Sequence, residues 1–476
     1  MPFSYPQGMN KGVSSSVIET LGVDTIPESE RTGKPRDIFT FLFGGNLALS
    51  VMVFGSVAIS YGLSWWATAS AIVAGTFVGS IIVLPLSLLG YRSATNNSVS
   101  SGAFFGVRGR LVASGVGLLI CLGYIALTIW TGGDALSAVV ERWLGWKATN
   151  TWSGISYGII AILIVVVAII GYHWLDRANK LIIPIVLVTI VLSLIAFHKS
   201  FSFSYPGTSK QLALGTFWPT WILAALTAGA AGPISYVTLL GDWSRYISPA
   251  RHSKRAVLYW SWVGLFKGLI IPTLFGAYLS EVAFDPNSFV AGVVKAAPSW
   301  LLLPLIVIGV VGSVGQGALN LYSMGLDFDA ILPALKRWQS TFIMAAIAVL
   351  LVFLGKFVWD AQNSVTNFVL FLTAMATPWA AITTIGYFTH KGEFDSESLQ
   401  VFNRRVTGGK YWFTAGWNLP TIGAWVAGCV VGILSVSTTS YEGPIAHAFS
   451  GVVASPLTSG ATAGLIYWVI SRSTRL

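Results

Sequence analysis

The sequence predicts an all-α polytopic membrane protein with twelve transmembrane helices, of which the first and the sixth are broken. Composition is the first observation: 54% of the 476 residues are hydrophobic, 10% are charged, and the mean hydropathy is +0.71, whereas soluble domains carry roughly 25% charged residues. The second observation is a series of apolar runs, each long enough to cross the roughly 30 Å core of a bilayer. The third is that glycine and proline interrupt two of these runs.

We number the apolar runs spans 1 to 12 in chain order. Short polar or charged segments separate them, and because their number is even, both chain ends lie on the same side of the membrane. The limits of the spans are 38–61, 65–89, 111–133, 155–175, 181–197, 211–241, 257–279, 300–326, 340–358, 364–388, 418–437 and 445–471.

Span 6 is too long to be one straight helix, since at about 1.5 Å per residue it exceeds the thickness of the bilayer core. Gly229, Gly232 and Pro233 interrupt it. Proline removes a backbone donor and clashes with the preceding turn, and glycine weakens a helix. Freed backbone groups at membrane depth are tolerated only beside protein or a water-filled cavity. The sequence therefore predicts a discontinuous helix that lines a binding site.

Span 1 is interrupted in the same way, by Gly44, Gly45 and Asn46. Interruptions at corresponding places in two halves of a membrane protein indicate inverted repeats around a binding site. Spans 1 and 6 are five apart, which predicts one five-helix repeat over 37–197, a second over 211–388, and two additional C-terminal helices. The alternative is that glycine is common in membrane helices, as the 50 glycines of this chain and the glycine-rich spans 2 and 8 illustrate.

Positive charge predicts the orientation. With alternate loops assigned to the cytoplasm, about three quarters of the 28 lysine and arginine residues lie on that side. Residues 1–36 are then a cytoplasmic tail without a cleaved signal peptide, 389–416 are a cytoplasmic loop, and 417–476 hold spans 11 and 12 and a short cytoplasmic tail. We expect a multi-pass protein of the plasma membrane with both termini in the cytoplasm. The net charge of +10 requires no nucleic-acid partner.

Six segments, taken together, resemble one family. They are TIPESERTGKPRD before span 1, FGGNL within it, NNSVSSGAFFGVRG before span 3, GDWSRYIS after span 6, NLYSMGL in span 8 and GWNLPTIGAWVAG at span 11. From about residue 25 to the C-terminus the chain resembles the nucleobase:cation symporter family, especially its purine-cytosine permease branch. The resemblance implies a leucine-transporter-like fold and secondary active import of a planar heterocycle by alternating access, coupled to Na⁺ or H⁺. We expect a monomer with no cofactor and no catalytic residues.

A planar heterocycle needs aromatic surfaces for its faces and amide or hydroxyl groups for its edge. Span 3 offers Tyr124 and Thr128, four residues apart and therefore on one helix face. Span 6 offers Ser235 and Tyr236 directly after the break, where the positive end of a half-helix would also orient an acceptor group. Packing within the bundle is the alternative for both tyrosines.

Two more polar pairs are spaced at i and i+4: Gln316 and Asn320 in span 8, and Asn46 and Ser50 in span 1. Primary amides are costly in lipid and turn toward a cavity or a partner. In the resembling family, the position of Asn320 contacts the substrate. Hydrogen bonding between helices is the alternative for the span 8 pair, and helix capping is the alternative for Asn46.

The resemblance also implies a cation site where the break of span 1 meets span 8. In sodium-linked relatives, carbonyl and hydroxyl oxygens hold the ion there. The matching positions in this chain are Gly45, Ala48, Gly312 and Ser313. The next two residues of span 8 carry no hydroxyl group, so sodium and proton coupling both remain open.

Two charged residues are candidates for coupling or gating. Lys267 lies inside span 7, and a charge within the membrane is a functional candidate by default, although its long side chain can also reach the interface. Asp242 lies at the inner end of span 6.

One alternative function stays open, and three other classes fit the sequence less well. A carrier of the same fold for an amino acid or a thiamine-, pyridoxine- or hydroxymethylpyrimidine-like vitamin stays open, because a pyrimidine ring would use the same aromatic pair. An enzyme would need a nucleophile with a base or a metal cluster, and the five histidines show no ligand spacing. The phosphate-binding motif of an ATP-driven pump is absent from the sequence, as is the filter-like run of a channel.

Overall fold

The computed structural model describes residues 22–473 except 147–148, 171, 209–210, 284, 286–287, 333, 336 and 358–360. Across these described residues the regular structure is helical, and strand-like pairing is limited to isolated β-bridges such as the one between Thr32 and Ile247. The predicted all-α architecture is confirmed.

Span 1 forms two helices, Pro35–Gly44 and Leu49–Ser60, which are bent by 61°. The first begins favourably, because proline is preorganised for the first helical turn and the Asp37 carboxylate accepts a hydrogen bond from the Lys34 amide at 2.7 Å. The backbone is then extended at Ala48 (φ −138°, ψ 154°). The predicted break of span 1 is confirmed.

Span 6 begins at Phe217 and consists of the helix Phe217–Ala224, a wide π-helical turn Ala225–Ala230 and one α-helical turn Ala231–Ile234. It stops one residue after Pro233, and after non-helical turns the next regular segment is Leu240–Ser244. The interruption is therefore confirmed, but it follows Pro233. The expectation that a half-helix begins at Ser235 and Tyr236 is wrong, because these residues lie in the non-helical segment and the next helix begins at Leu240. π-Helical turns frequently lie at functional sites.

Gly229 also permits a close contact between spans 6 and 2. A Cβ added to it would lie 2.4 Å from the amide nitrogen of Thr76, and one added to Gly75 would lie 2.0 Å from the carbonyl oxygen of Ala225. Glycine at a helix interface allows backbones to approach in this way. Span 2 thus supports the π-helical turn directly.

A second glycine contact joins the helix Leu49–Ser60 of span 1 to span 7. A Cβ added to Gly55 would lie 1.8 Å from the Thr273 carbonyl oxygen, and one added to Gly276 would lie 1.9 Å from the Met52 carbonyl oxygen. The two helices therefore pack backbone to backbone beside the break.

The other spans contain long helices, and span 8 has its own π-helical turn. The helices are Trp65–Val83 and Ser87–Ser93 in span 2, Leu111–Leu144 in span 3, Asn150–Ile170 in span 4, Tyr172–Phe197 in span 5, Lys254–Val282 in span 7, Leu302–Val307 and Ser313–Ile331 on either side of the π-helical turn Ile308–Gly312 in span 8, Arg337–Phe357 in span 9, Ala361–Thr389 in span 10, Leu419–Leu434 in span 11 and Ser455–Ser473 in span 12.

Short helices lie in the loops: Asn97–Ser100, Gly102–Phe105, Phe289–Ala296 and Ser396–Leu399. The predicted start of span 12 at residue 445 is wrong, because a separate short helix, Pro444–Ala448, and a non-helical segment precede the long helix that begins at Ser455. In the described part of the chain, eight continuous helices have the length and hydropathy of a membrane span, and the bent pair of span 1 makes a ninth. The multi-span architecture is confirmed. The number twelve and the division into two repeats stay predictions.

The predicted cytoplasmic loops meet at one end of the molecule. The Arg31 guanidinium donates hydrogen bonds to the carbonyl oxygens of Tyr91 at 2.6 Å, Arg245 at 3.0 Å and Ile247 at 2.5 Å. Burial lowers the pKa of this guanidinium, and the neighbouring Glu28 carboxylate opposes that shift. The end of the predicted N-terminal tail is therefore packed against the ends of spans 2 and 6.

The predicted outer loops meet at the opposite end. The amide of Trp65 donates to the carbonyl oxygen of Tyr205 at 3.1 Å, and the amide of Ser202 donates to the carboxylate of Glu281 at 2.8 Å. The helices that carry the site residues thus run between two ends at which loops are hydrogen-bonded to one another.

Candidate functional site

Side chains from spans 1, 3, 6, 7 and 8 surround a small cavity beside the breaks of spans 1 and 6. Its volume is about 10 Å³, which is roughly the space one water molecule needs. The residues that line it are Asn46, Val51, Phe54, Tyr124, Ala228, Gly232, Ser235, Tyr236, Leu269, Thr273, Gln316 and Asn320. Six of the eight predicted substrate-binding residues are among them. The other two, Ser50 and Thr128, are not lining residues but form hydrogen bonds with the Gln316 side chain.

Asn46 joins the two broken spans. Its Nδ2 donates a hydrogen bond to the carbonyl oxygen of Leu42 at 2.6 Å, and its Oδ1 accepts one from the Tyr236 hydroxyl at 2.8 Å. The side chain is 1% exposed. Asn46 therefore bonds the end of the first half-helix and does not cap the second, whose N-cap is Ala48. The same amide also fixes the ring of Tyr236, which lies within the break of span 6.

Gln316 is held by two hydroxyl groups. Its Oε1 accepts hydrogen bonds from the Ser50 hydroxyl and from the Thr128 hydroxyl, the latter at 3.2 Å. The Thr128 hydroxyl also lies 2.6 Å from the carbonyl oxygen of Tyr124. Residues from spans 1 and 3 thus hold the amide of Gln316, which lines the cavity.

Asn320 completes the polar edge of the cavity. Its Nδ2 donates to the backbone carbonyl oxygen of Gln316 at 3.0 Å. Among the described residues, no protein group forms a hydrogen bond with the Oδ1 of Asn320 or with the Nε2 of Gln316. One amide donor and one amide acceptor, one helical turn apart, are therefore available to a ligand.

Aromatic rings flank this polar edge. The rings of Phe54 and Tyr124 lie 5.8 Å apart at an angle of 50°, and those of Tyr236 and Trp243 lie 6.0 Å apart at 55°. The sequence analysis did not select Phe54. A usable signal existed, since Phe54 follows Ser50 by four residues and therefore shares its helix face. Leu269 and Thr273 of span 7 were also not selected, because no polar pair or break marks that span.

A second small cavity adjoins the first, and Tyr124 and Ser235 line both. The Ser235 hydroxyl donates to the carbonyl oxygen of Gly232 at 2.6 Å. The second cavity is otherwise lined mainly by apolar residues of spans 3, 6 and 10, among them Ile120, Ile234 and Leu372. A rotation of Tyr124 would therefore join two spaces that are separate in this conformation.

The four residues predicted for a cation site are only partly brought together. Gly312 packs on Ala48, since an added Cβ would lie 3.1 Å from the Ala48 Cα, and Gly45 ends the first half-helix of span 1. The Ser313 hydroxyl is buried and has no hydrogen-bond partner among the described residues. It lies against span 3, where a Cβ added to Gly132 would be 2.4 Å away.

Asn179 of span 5 lies beside the same junction and was not predicted. A Cβ added to Gly44 would lie 2.9 Å from its Oδ1, and one added to Gly315 would lie 3.3 Å from the same atom. The buried amide thus lies between the break of span 1 and span 8. The sequence analysis missed it because the predicted limits of span 5 began at residue 181.

The structure does not bring the two charged candidates to the cavity. Lys267 is exposed on span 7, although its neighbour Leu269 lines the cavity. Asp242 is buried in Leu240–Ser244, beyond the non-helical turns that follow span 6.

Comparison with known proteins identifies the family. Residues 25–456 match the model of a family described as permease for cytosine/purines, uracil, thiamine, allantoin. The chain belongs to this permease family. The family consists of permeases and not of enzymes, and the resemblance found in the sequence is confirmed.

Two curated members of the permease family match over most of their length. YxlA of Bacillus subtilis (strain 168), a candidate purine-cytosine permease, is 25% identical over 474 residues, which cover 96% of each chain. The purine-cytosine permease fcyB of Emericella nidulans is 24% identical over 472 residues, covering 92% of this chain and 85% of the relative.

Solved structures confirm the predicted fold. Mhp1, a nucleobase-cation-symport-1 family transporter, in a closed conformation with bromovinylhydantoin bound, is similar with a TM-score of 0.74 and 17% identity, covering 96% of this chain and 97% of Mhp1. The inward-facing conformation of Mhp1 gives a TM-score of 0.68 at 18% identity, covering 95% and 94%.

The bond between Asn46 and Tyr236 leads to a prediction for stability. Tyr236→Phe leaves the buried Asn46 Oδ1 without this donor and should lower the free energy of unfolding by roughly 1–3 kcal/mol. Tyr124→Phe is the matched control, because the Tyr124 hydroxyl lies 3.5 Å from its acceptor, the Ala231 carbonyl oxygen, where a hydrogen bond is weak. Unfolding in mixed micelles measures both, and equal losses would contradict the special role of the Asn46 bond.

Proposed function

We propose that this protein is a secondary active transporter that imports a nucleobase of the purine or cytosine type, or a related planar heterocycle, by cation-coupled alternating access. The observation that carries the proposal is the pair formed by the Gln316 Nε2 and the Asn320 Oδ1, which line the cavity between aromatic rings. A nucleobase presents neighbouring acceptors and donors on its edge, and an amide can pair with such an edge.

The surrounding rings supply the second part of the recognition. Stacking of a base on an aromatic side chain is worth roughly 1–3 kcal/mol, and Tyr124, Tyr236 and Phe54 all line the cavity. Because the Tyr236 hydroxyl is bonded to Asn46, its ring is held before a ligand binds, which reduces the entropy lost on binding.

The names of the relatives support the same substrate class. Purine-cytosine permeases are among the curated relatives, and Mhp1 holds a hydantoin, which is also a planar heterocycle. An amino acid would bring two charged groups, whereas no charged side chain is among the residues that line the cavity. Thiamine transport, which the family description includes, belongs in the same ligand panel.

A heterocycle is much larger than one water molecule, so it enters only if the cavity opens. The two broken spans are suited to this, because residues at helix ends absorb changes in backbone angle. The N-terminal segment held by Arg31 closes the predicted cytoplasmic end. Alternating access then requires that this end open while the outer end closes.

We expect Asn320→Ala and Tyr236→Ala to reduce uptake roughly five- to hundredfold, because each removes a contact worth about 1–3 kcal/mol. The matched control is Asn367→Ala. The amide of Asn367 donates a hydrogen bond to the Ser440 hydroxyl, and neither residue lines the cavity. Full uptake by both cavity variants would reject this site.

A thermal-stability panel of purines, pyrimidines, hydantoins and thiamine identifies the ligand, because a ligand that binds only the folded protein raises its stability.

We propose a coupling cation at the junction of spans 1 and 8, where the Ser313 hydroxyl lacks a protein partner among the described residues. If the cation is Na⁺, a sodium gradient drives uptake and Ser313→Ala weakens that response severalfold. If it is H⁺, an inward pH gradient drives uptake. Ser261→Ala, which alters another buried, unpartnered hydroxyl, is the control. Uptake in proteoliposomes that ignores both gradients would contradict symport.

We also propose a plasma-membrane location with the termini in the cytoplasm, on the distribution of positive charge. Both native cysteines are buried, so variants with one exposed cysteine report the orientation. An impermeant thiol reagent on intact cells should label Ser440→Cys and not Glu393→Cys, both at exposed positions. The reverse pattern would overturn the orientation.

A further inference from the structure

A larger cavity, of about 340 Å³, opens at the predicted cytoplasmic ends of spans 3 and 8. The loop between spans 10 and 11 forms its other wall. Its principal lining residues are Arg108, Arg405, Phe402, Trp412, Leu332 and Val406. Its volume is that of a typical small-molecule site, and it is separate from the cavity proposed for transport.

The two arginines in this cavity have no carboxylate partner among the described residues. The guanidinium of Arg108 lies 5.3 Å from the centre of the Trp412 ring, an arrangement that favours a fixed position for the cation. By contrast, the adjacent Arg404 forms an ion pair with Glu397. The cavity therefore presents two unneutralised positive charges, and no acidic side chain lines it.

Apolar side chains lie in the same cavity and are open to the surroundings. Leu332 is 46% exposed and Val406 is 52% exposed. Leu332 directly follows the helix Ser313–Ile331, and Arg108 lies three residues before the helix Leu111–Leu144. The cavity thus lies at the predicted cytoplasmic ends of these helices, with cations and apolar surface side by side.

We propose that this cavity binds the headgroup of an anionic phospholipid. The phosphate accepts hydrogen bonds from Arg108 and Arg405, since guanidinium groups match phosphate geometry, and an acyl chain follows Leu332 and Val406. Basic pockets on the cytoplasmic side of membrane helices bind anionic headgroups by the same chemistry. A free phosphate ester would share the polar contacts but would gain nothing from the exposed apolar wall.

The loops that form the cavity are tied to one another, which gives lipid binding a structural consequence. The Arg108 amide donates to the Gly416 carbonyl oxygen at 2.8 Å, and the Val107 amide donates to the Tyr411 carbonyl oxygen at 3.1 Å. A bound phospholipid would brace the end of span 8 against these joined loops.

The test compares two matched variants of the purified full-length protein. Arg405 and Lys391 lie in the same predicted loop, both are exposed, and both have a left-handed backbone, with φ of 56° and 55°. Arg405→Gly and Lys391→Gly each remove one positive charge and relieve the same strain, so neither should impair folding. Native mass spectrometry with dioctanoyl phosphatidylglycerol should show roughly tenfold weaker binding for Arg405→Gly and wild-type binding for Lys391→Gly.

Three further arms decide the source of the phosphate group. Phosphatidylcholine should bind more weakly than phosphatidylglycerol, and inorganic phosphate and glycerol phosphate should compete only at far higher concentration. Arg108→Gln should weaken phosphatidylglycerol binding as Arg405→Gly does. Equal losses in Lys391→Gly would show attraction to general surface charge, and equal binding of glycerol phosphate would show a small-anion site. Either result would overturn the proposal.

Discussion

The structure depends on one constraint: a helix broken inside a membrane must find partners for the backbone groups that it frees. Asn46 meets part of this need at the first break and links it to the second. Its Nδ2 donates to the Leu42 carbonyl oxygen before the break of span 1, and its Oδ1 accepts a hydrogen bond from the hydroxyl of Tyr236, which lies within the break of span 6. The same two hydrogen bonds hold the Asn46 amide and the Tyr236 ring at the cavity. The contacts that stabilise the broken spans therefore also position residues of the site.

Glycine contacts make that arrangement possible. Spans 2 and 7 approach the broken spans backbone to backbone at Gly75 and Gly276, where any larger side chain would separate them. In such tightly packed interiors, helices shift between discrete arrangements rather than deform continuously. Opening the cavity is therefore expected to involve movement of whole spans. Tyr124 and Ser235, which divide two adjoining cavities, lie where such a movement would change the available space most.

Arginines at the predicted cytoplasmic end lie in two different environments. Arg31 holds the N-terminal segment on three carbonyl oxygens, and burial lowers the pKa of its guanidinium, although the Glu28 carboxylate opposes that shift. At the same end, Arg108 and Arg405 line an open cavity. Buried and exposed arginines thus differ: the buried Arg31 ties loops together, and the exposed pair carries the positive charge on which the proposed lipid site depends.

The sequence by itself determined the membrane class, the two breaks, the family and most of the polar residues at the cavity, because charge, glycine, proline and amides are conspicuous in an apolar chain. Only the tertiary structure decided which apolar and small residues face the site. The structure shows that Phe54 and Thr273 line the cavity and that Asn179 lies beside the break of span 1. It also shows that Lys267 is exposed and that Ser313 lies against span 3. The reason is physical: in lipid, the packed and the exposed faces of a helix are both apolar, so hydropathy does not fix its rotation, and contacts between helices do.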